Sequence, residues 1–200
     1  MSHALHVYLV DRAKLEAVVG SNNNKLLNRV LEGGPPWRRM LSRLIPPLGR
    51  QAEDSRRLSI TFQISDQDGH VERNKAALRT IIAGGPFDEE RAGNYVEALE
   101  LICRQLGPYV GDATFWFGND DLPFVIEDLA TGMVGQPPFP KSERNGWGVM
   151  SKKSCTEELE YWEGKVAEDP DYSDGYGELV VEWLRASKAA NKDLIGFWGG

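Results

Sequence analysis

The sequence is poor in the residues that most readily announce a function. It holds two cysteines in 200 residues, Cys103 and Cys155, which excludes a disulfide framework and makes a reducing compartment, the cytoplasm, the default location. It holds three histidines. His3 and His6 lie near the start and His70 sits in a turn, and neither cysteine is spaced to join them as the third and fourth ligands that zinc requires. No metal site and no cofactor are therefore expected. No apolar run approaches the ~18 residues of a spanning helix, so no membrane association is expected. Met1 to Val10 has neither a basic start nor a small-residue cleavage site, so it is not expected to act as a signal peptide. G-x-G-x-x-G, P-loop, G-x-S-x-G and H-E-x-x-H patterns are absent, which withdraws the common dinucleotide, nucleotide, serine-hydrolase and zinc-protease readings. Asp66-Gln67-Asp68-Gly69 has the look of a calcium loop. Aligning Gly69 with the invariant glycine, however, puts Ile64 and Lys75 where acidic ligands belong, and an ordinary turn fits better.

What is present suits one folded domain spanning residues 1–200, with six tryptophans to fill a core. The net charge of −7 is unevenly spread: residues 1–60 carry +5, residues 61–150 carry −7 and residues 151–200 carry −5. Overall acidity argues against general nucleic-acid binding, while the basic first third keeps a local anion-binding face open.

The strongest structural signal is a helix over Glu89–Leu106. Ala92, Tyr95, Val96, Leu99, Ile102, Cys103 and Leu106 recur at spacings of three and four and form one apolar stripe. Asp88 is a suitable N-cap, and Gly107-Pro108 is a stop signal. Around this helix, Leu5–Val10 reads as a strand. Asp11 caps a helix carrying Leu15, Val18 and Val19, and a second helix runs to Glu32 with Leu26, Leu27, Val30 and Leu31 inward. Trp37–Ile45 has helical spacing, Leu58–Ser65 alternates strictly as a half-buried strand does, and a helix ending at Ala83 turns Ala76, Leu78, Ile81 and Ile82 inward. The stretches ending in Gly33-Gly34-Pro35 and Gly84-Gly85-Pro86 share a stop signal and no further similarity, so no repeat is implied. Later come a strand at Ala113–Phe117, a short helix at Pro123–Thr131 and a Pro/Gly-rich loop over 132–145. They are followed by a strand at Trp147–Met150, helices at Thr156–Ala167 and Glu178–Ala190, and a closing strand at Leu194–Trp198. Strands at both ends with helices gathered between them predict an α+β fold, several amphipathic helices packed on a small mixed or antiparallel sheet.

Three constellations bear on function, each with an ordinary structural explanation beside it. Asn119, Asp120 and Asp121 follow an aromatic strand beside Trp116; paired carboxylates at a strand end suit acid–base chemistry, and equally form a polar turn. Arg39 and Arg43, with Arg38 near them, present guanidinium forks suited to an anion, or a solvated helix face. Residues 157–182 hold ten acidic side chains against Lys165 alone, interleaved with Trp162, Tyr172, Tyr176 and Trp183. Acidic surface with aromatic anchors fits a basic protein partner, and Glu157, Glu160 and Glu163 are its candidate contacts; the other reading is a solvated face over a Trp-rich core. No catalytic set emerges.

The stretches HVYLVDRAKLEAVVGS, YVEALELICRQLG, GWGVMS and DLIGFWG together resemble a family of uncharacterised bacterial single-domain proteins and are distantly similar to the YfbM-like group. That resemblance implies a cytoplasmic bacterial protein and brings no catalytic residues with it. Two functions are compared. The first is a non-enzymatic binding or regulatory protein, immunity-like in kind, with an acidic C-terminal face. The second is a small hydrolase or transferase using Asp120 and Asp121 with an arginine clamp. A deep pocket with convergent polar groups would favour the enzyme, and a broad acidic surface the binder. The sequence leaves the oligomeric state open.

Overall fold

The structure, a computed structural model, describes residues 3–32, 69–115, 124–131, 145–169 and 176–199. Among the described residues four strands form one antiparallel sheet in the order β2-β1-β4-β3, where β1 is His3–Val10, β2 Tyr109–Phe115, β3 Asn145–Met150 and β4 Asp193–Gly199. The first and last of these strands are the two central ones. Their sequences explain this: successive residues of a strand point to opposite faces, and β1 is apolar on both, with Leu5, Val7 and Leu9 on one side and Tyr8 and Val10 on the other.

Both faces are accordingly covered. On one lie α1 (Arg12–Glu16), α2 (Asn24–Leu31), α3 (His70–Ala83) and α4 (Ala92–Leu106), which bury Tyr8, Val10, Trp147, Val149, Ile195 and Phe197. On the other lie α5 (Phe124–Thr131), α6 (Lys152–Glu168) and α7 (Tyr176–Ala190), over Leu5, Val7, Leu9, Phe115, Met150 and Leu194. The described chain is thus a three-layer α+β arrangement.

The central helix forms as its apolar stripe requires. Tyr95, Val96, Leu99, Ile102 and Cys103 are buried, and Leu106 packs at the margin. Its first turn differs from expectation: Glu89–Arg91 is a 3₁₀ turn, with the Asp88 side chain accepting the Glu90 N–H at 3.0 Å, and the α-helix proper starts at Ala92. Ala98 is fully buried as well, because α3 covers one flank while the sheet lies beneath.

Other boundaries shift for identifiable reasons. Helix α6 begins at Lys152, capped by Ser151, whose Oγ accepts the Ser154 N–H at 3.1 Å; Thr156 is already inside the helix, donating its hydroxyl to Lys152 O. Helix α7 takes in Tyr176 and the buried Gly177, ahead of the expected start at Glu178, and β2 starts at Tyr109 rather than Ala113. In α3, Ala77 rather than Ala76 is buried. The helix expected at Trp37–Ile45, the strand at Leu58–Ser65 and the loop over 132–144 lie outside the described residues.

One close approach fixes how α5 meets the sheet. Gly148 and Gly196 are paired across β3 and β4, and a Cβ on either would stand 2.2 Å from Asp128 O or 2.4 Å from Leu129 O. The C-terminal backbone of α5 therefore lies directly on two strands, as only glycine permits. The Trp198 indole adds a hydrogen bond to Ala130 O at 2.6 Å.

Candidate functional site

A polar cluster interrupts the layer between α4 and β1. On β1, His6 and Tyr8 point toward the α4 side by the two-residue alternation, and on α4, Glu100 and Arg104 are one turn apart beside the apolar stripe. Glu100 Oε1 takes three contacts: the Tyr8 hydroxyl donates to it at 2.7 Å, Arg104 Nη2 donates at 2.7 Å, and His6 Nδ1 stands 3.1 Å away. Arg104 Nε also donates to Tyr8 Oη at 2.9 Å, closing a triangle of Glu100, Tyr8 and Arg104. The Glu100 side chain is 15% exposed, with His6 and Arg104 at 27% and 28%. Strand β2 extends the cluster. Register pairs His6 with Asp112 and Tyr8 with Tyr109, whose hydroxyl donates to Asp112 Oδ1 at 2.7 Å.

The protonation states follow from these contacts. Burial opposes charge on Glu100, but the His6 hydrogen bond and the Arg104 charge outweigh it and hold the carboxyl down at about 2. Burial and then the Glu100 charge push the Tyr8 hydroxyl well up, so it remains a donor. Burial and then Asp112 do the same to Tyr109. Burial works against the Arg104 cation, and Glu100 more than restores it. Cys103, directly behind, has its thiol raised first by burial and then by Glu100, which makes it unreactive.

These residues border a cleft of about 240 Å³ lined by Ala4, His6, Val96, Glu97, Glu100, Phe197, Trp198 and Gly199. Glu97 is held from α3: Asn74 Nδ2 donates to its Oε2 at 2.6 Å, His70 Nε2 lies 3.2 Å from the same oxygen, and Asn94 Nδ2 donates to Asn74 Oδ1 at 2.7 Å. A carboxylate-oriented histidine has the form of a general base, and among the described lining residues there is no Ser, Thr, Cys or Lys side chain. Among the described residues, no three His, Cys, Asp or Glu side chains are grouped to hold a metal ion.

The residues singled out from sequence fall elsewhere. Glu157, Glu160 and Glu163 are exposed on α6; Lys153 Nζ lies 3.5 Å from Glu157 Oε1, and Arg185 Nε donates to Glu163 Oε1 at 2.7 Å. Tyr161 stands among them, 48% exposed, with Lys165 Nζ 5.7 Å from its ring centre. Trp162, next in sequence, is buried. Trp116, Asn119, Asp120, Asp121, Arg39 and Arg43 lie outside the described residues.

Sequence reasoning did not find the His6–Tyr8–Glu100–Arg104 cluster. The signal was there in two halves: polar His6 between apolar neighbours on a strand buried on both faces, and a Glu–Arg pair at i,i+4 flanking the most apolar helix stripe. Joining the halves needs the β1–α4 packing.

No curated protein and no solved structure matches the chain, and nothing ties it to the YfbM-like group. One family model matches residues 1–199, that of a domain of unknown function, DUF7691, and the chain belongs to that family.

Proposed function

We propose that the protein is a non-enzymatic binding or regulatory protein, immunity-like in kind, that docks a basic protein partner on the solvent face of α6 and α7. The observation that carries this reading is Tyr161. It is the exposed large hydrophobic side chain among the described residues, and it stands in a surface bearing exposed Glu157, Glu160, Glu163, Glu178 and Glu182. A half-exposed tyrosine on a helix that also carries exposed carboxylates supplies an anchor for affinity and a field for encounter. Lys153, Lys165 and Arg185 offset part of that charge, and the five carboxylates leave the face acidic overall.

Capture from native cells at low salt tests the reading. Reversing Glu157, Glu160 and Glu163 to Lys together should slow association, and Tyr161→Ala should speed dissociation. Raising ionic strength from 0.01 to 0.1 M shortens the Debye length from about 30 Å to about 10 Å and should weaken capture by the unmodified protein. A basic protein captured equally well by the triple reversal would overturn the assignment.

A further inference from the structure

We propose that Gly164, on the exposed face of α6, is the seat of one arginine side chain of the basic protein partner. The assignment rests on the docking face proposed above and fixes the point at which the partner is held there. Among residues other than proline, glycine is the least favourable in a helix interior, since it gives up the most backbone freedom and brings no side chain to pack. Gly164 nevertheless stands inside α6, which runs from Lys152 to Glu168. Packing within the chain does not call for it. A Cβ built at Gly164 meets nothing within 4 Å, whereas at Gly148 and Gly196 backbone stands in the way. Its φ also lies outside the left-handed region that favours glycine. Gly164 is exposed, so what it provides is low ground on the surface of the helix.

Helical spacing sets the surroundings. Tyr161 lies three positions before Gly164 and Ala167 three after; Glu160 lies four before and Glu168 four after. All four are exposed. Bare backbone with a second small residue beside it is thus bordered by a phenol ring, with a carboxylate one turn away in each direction. An arginine matches each part of this arrangement. Its guanidinium is flat, so it lies close against a helix where no Cβ projects, and its N–H donors fan out in the plane toward carboxylates on either side. The ring adds a cation–π partner, and α6 already uses it so: Lys165 Nζ stands 5.7 Å from the Tyr161 ring centre. A partner lysine brings the same charge without the flat fork, so the same site favours arginine over lysine.

Two peptides of equal charge are the probes: a basic alanine–lysine peptide with one central arginine, and its twin with lysine in that place. Each is titrated into the full chain while the amides of Tyr161, Gly164 and Ala167 are followed by NMR. The arginine peptide should shift these amides and bind about threefold tighter than its twin, the fold-change of one exposed cation–π contact. Gly164→Leu fills the low ground with every charge in place. Leucine is a good helix former, so the melting temperature should hold or rise. This variant should bind both peptides alike, at the affinity of the twin. A preference lost while stability holds does not come from unfolding. Equal affinities of the two peptides for the unmodified protein, or an arginine preference kept by Gly164→Leu, would overturn the seat and leave the docking face standing. If reversal of Glu157, Glu160 and Glu163 to Lys left both peptides bound as before, the docking face itself would fall and the seat with it.

Discussion

The Tyr8 hydroxyl donates to Glu100 Oε1 at 2.7 Å, joining a central strand of the sheet to the helix that covers it through a largely buried charge. Leaving any partner of this cluster unmatched costs more than an exposed ion pair is worth, because the groups are withdrawn from water. Tyr8→Phe keeps the ring and its packing on Tyr109 and Phe197 while removing a donor to Glu100 and an acceptor of Arg104. The expected loss is about 2 kcal/mol, read as a lower urea midpoint at constant slope. A midpoint equal to that of the unmodified protein would show that water replaces the hydroxyl at no cost.

The same carboxylate sets an acid limit to stability. Its folded pKa of about 2 lies below the ordinary 4.5, so the folded state favours the ionised form. The stabilisation is fully present above about pH 4.5 and is lost as pH falls toward 2. The shift corresponds to roughly 3 kcal/mol across that window. Glu100→Gln should lower stability at neutral pH and flatten its decline between pH 5 and pH 2, beginning from about the ordinary carboxyl value. Parallel acid-unfolding curves for the two proteins would place the acid-sensitive group elsewhere.

Much of the fold was legible because its main signals are local. The 92–106 stripe, the Gly84 stop after α3 and the apolar β1 and β4 each follow from spacing within one segment. What was missed depends on neighbours. Ala98 looks too small and too far round the helix to count as core until α3 closes over it. Lys152 and Lys153 oppose the helix dipole and argue against a helix start, yet Ser151 caps there and Asp193 Oδ1 accepts the Lys152 N–H at 2.9 Å from the adjoining β4. Of the site residues chosen from sequence, those on α6 are on the surface as their face of the helix implies. The His6–Glu100 contact joins residues 94 positions apart, and no spacing rule within a segment reports it.

The paired glycines under α5 offer a test of packing with no charge involved. Gly196→Ala would drive a Cβ to 2.4 Å from Leu129 O and 2.9 Å from Leu5 Cδ1. The nearest obstacle is backbone, so no rotamer change relieves it, and α5 must lift from the sheet. The expected cost is about 3 kcal/mol, at the upper end for overpacking, with exchange protection lost first in 124–131. Gly164→Ala is the control: its Cβ would meet nothing within 4 Å in the middle of α6, and a gain of about 0.5 to 1 kcal/mol is expected. Equal stability of the two variants would refute the contact of α5 with β3 and β4.

Helix α6 carries two classes of residue whose consequences separate. Trp162 is 1% exposed, packed with Leu159, Cys155 and the α7 residues Val180 and Leu184. Trp162→Ala removes one of the two fully buried tryptophans of that layer and should cost roughly 3 to 5 kcal/mol. Glu160, two residues earlier, is exposed on the other side of the helix. Glu160→Lys should change stability by no more than about 0.5 kcal/mol, since an exposed charge gains little from neighbours that water already screens. The contrast bears on the proposed docking face as well as on the core. A partner that reads the surface of α6 must respond to Glu160→Lys while the melting temperature stays fixed, whereas it responds to Trp162→Ala only through unfolding. Measuring capture and thermal unfolding on both variants therefore tells recognition apart from stability. A fall in capture that tracked melting temperature alone across both would reduce the acidic face to a solvated surface.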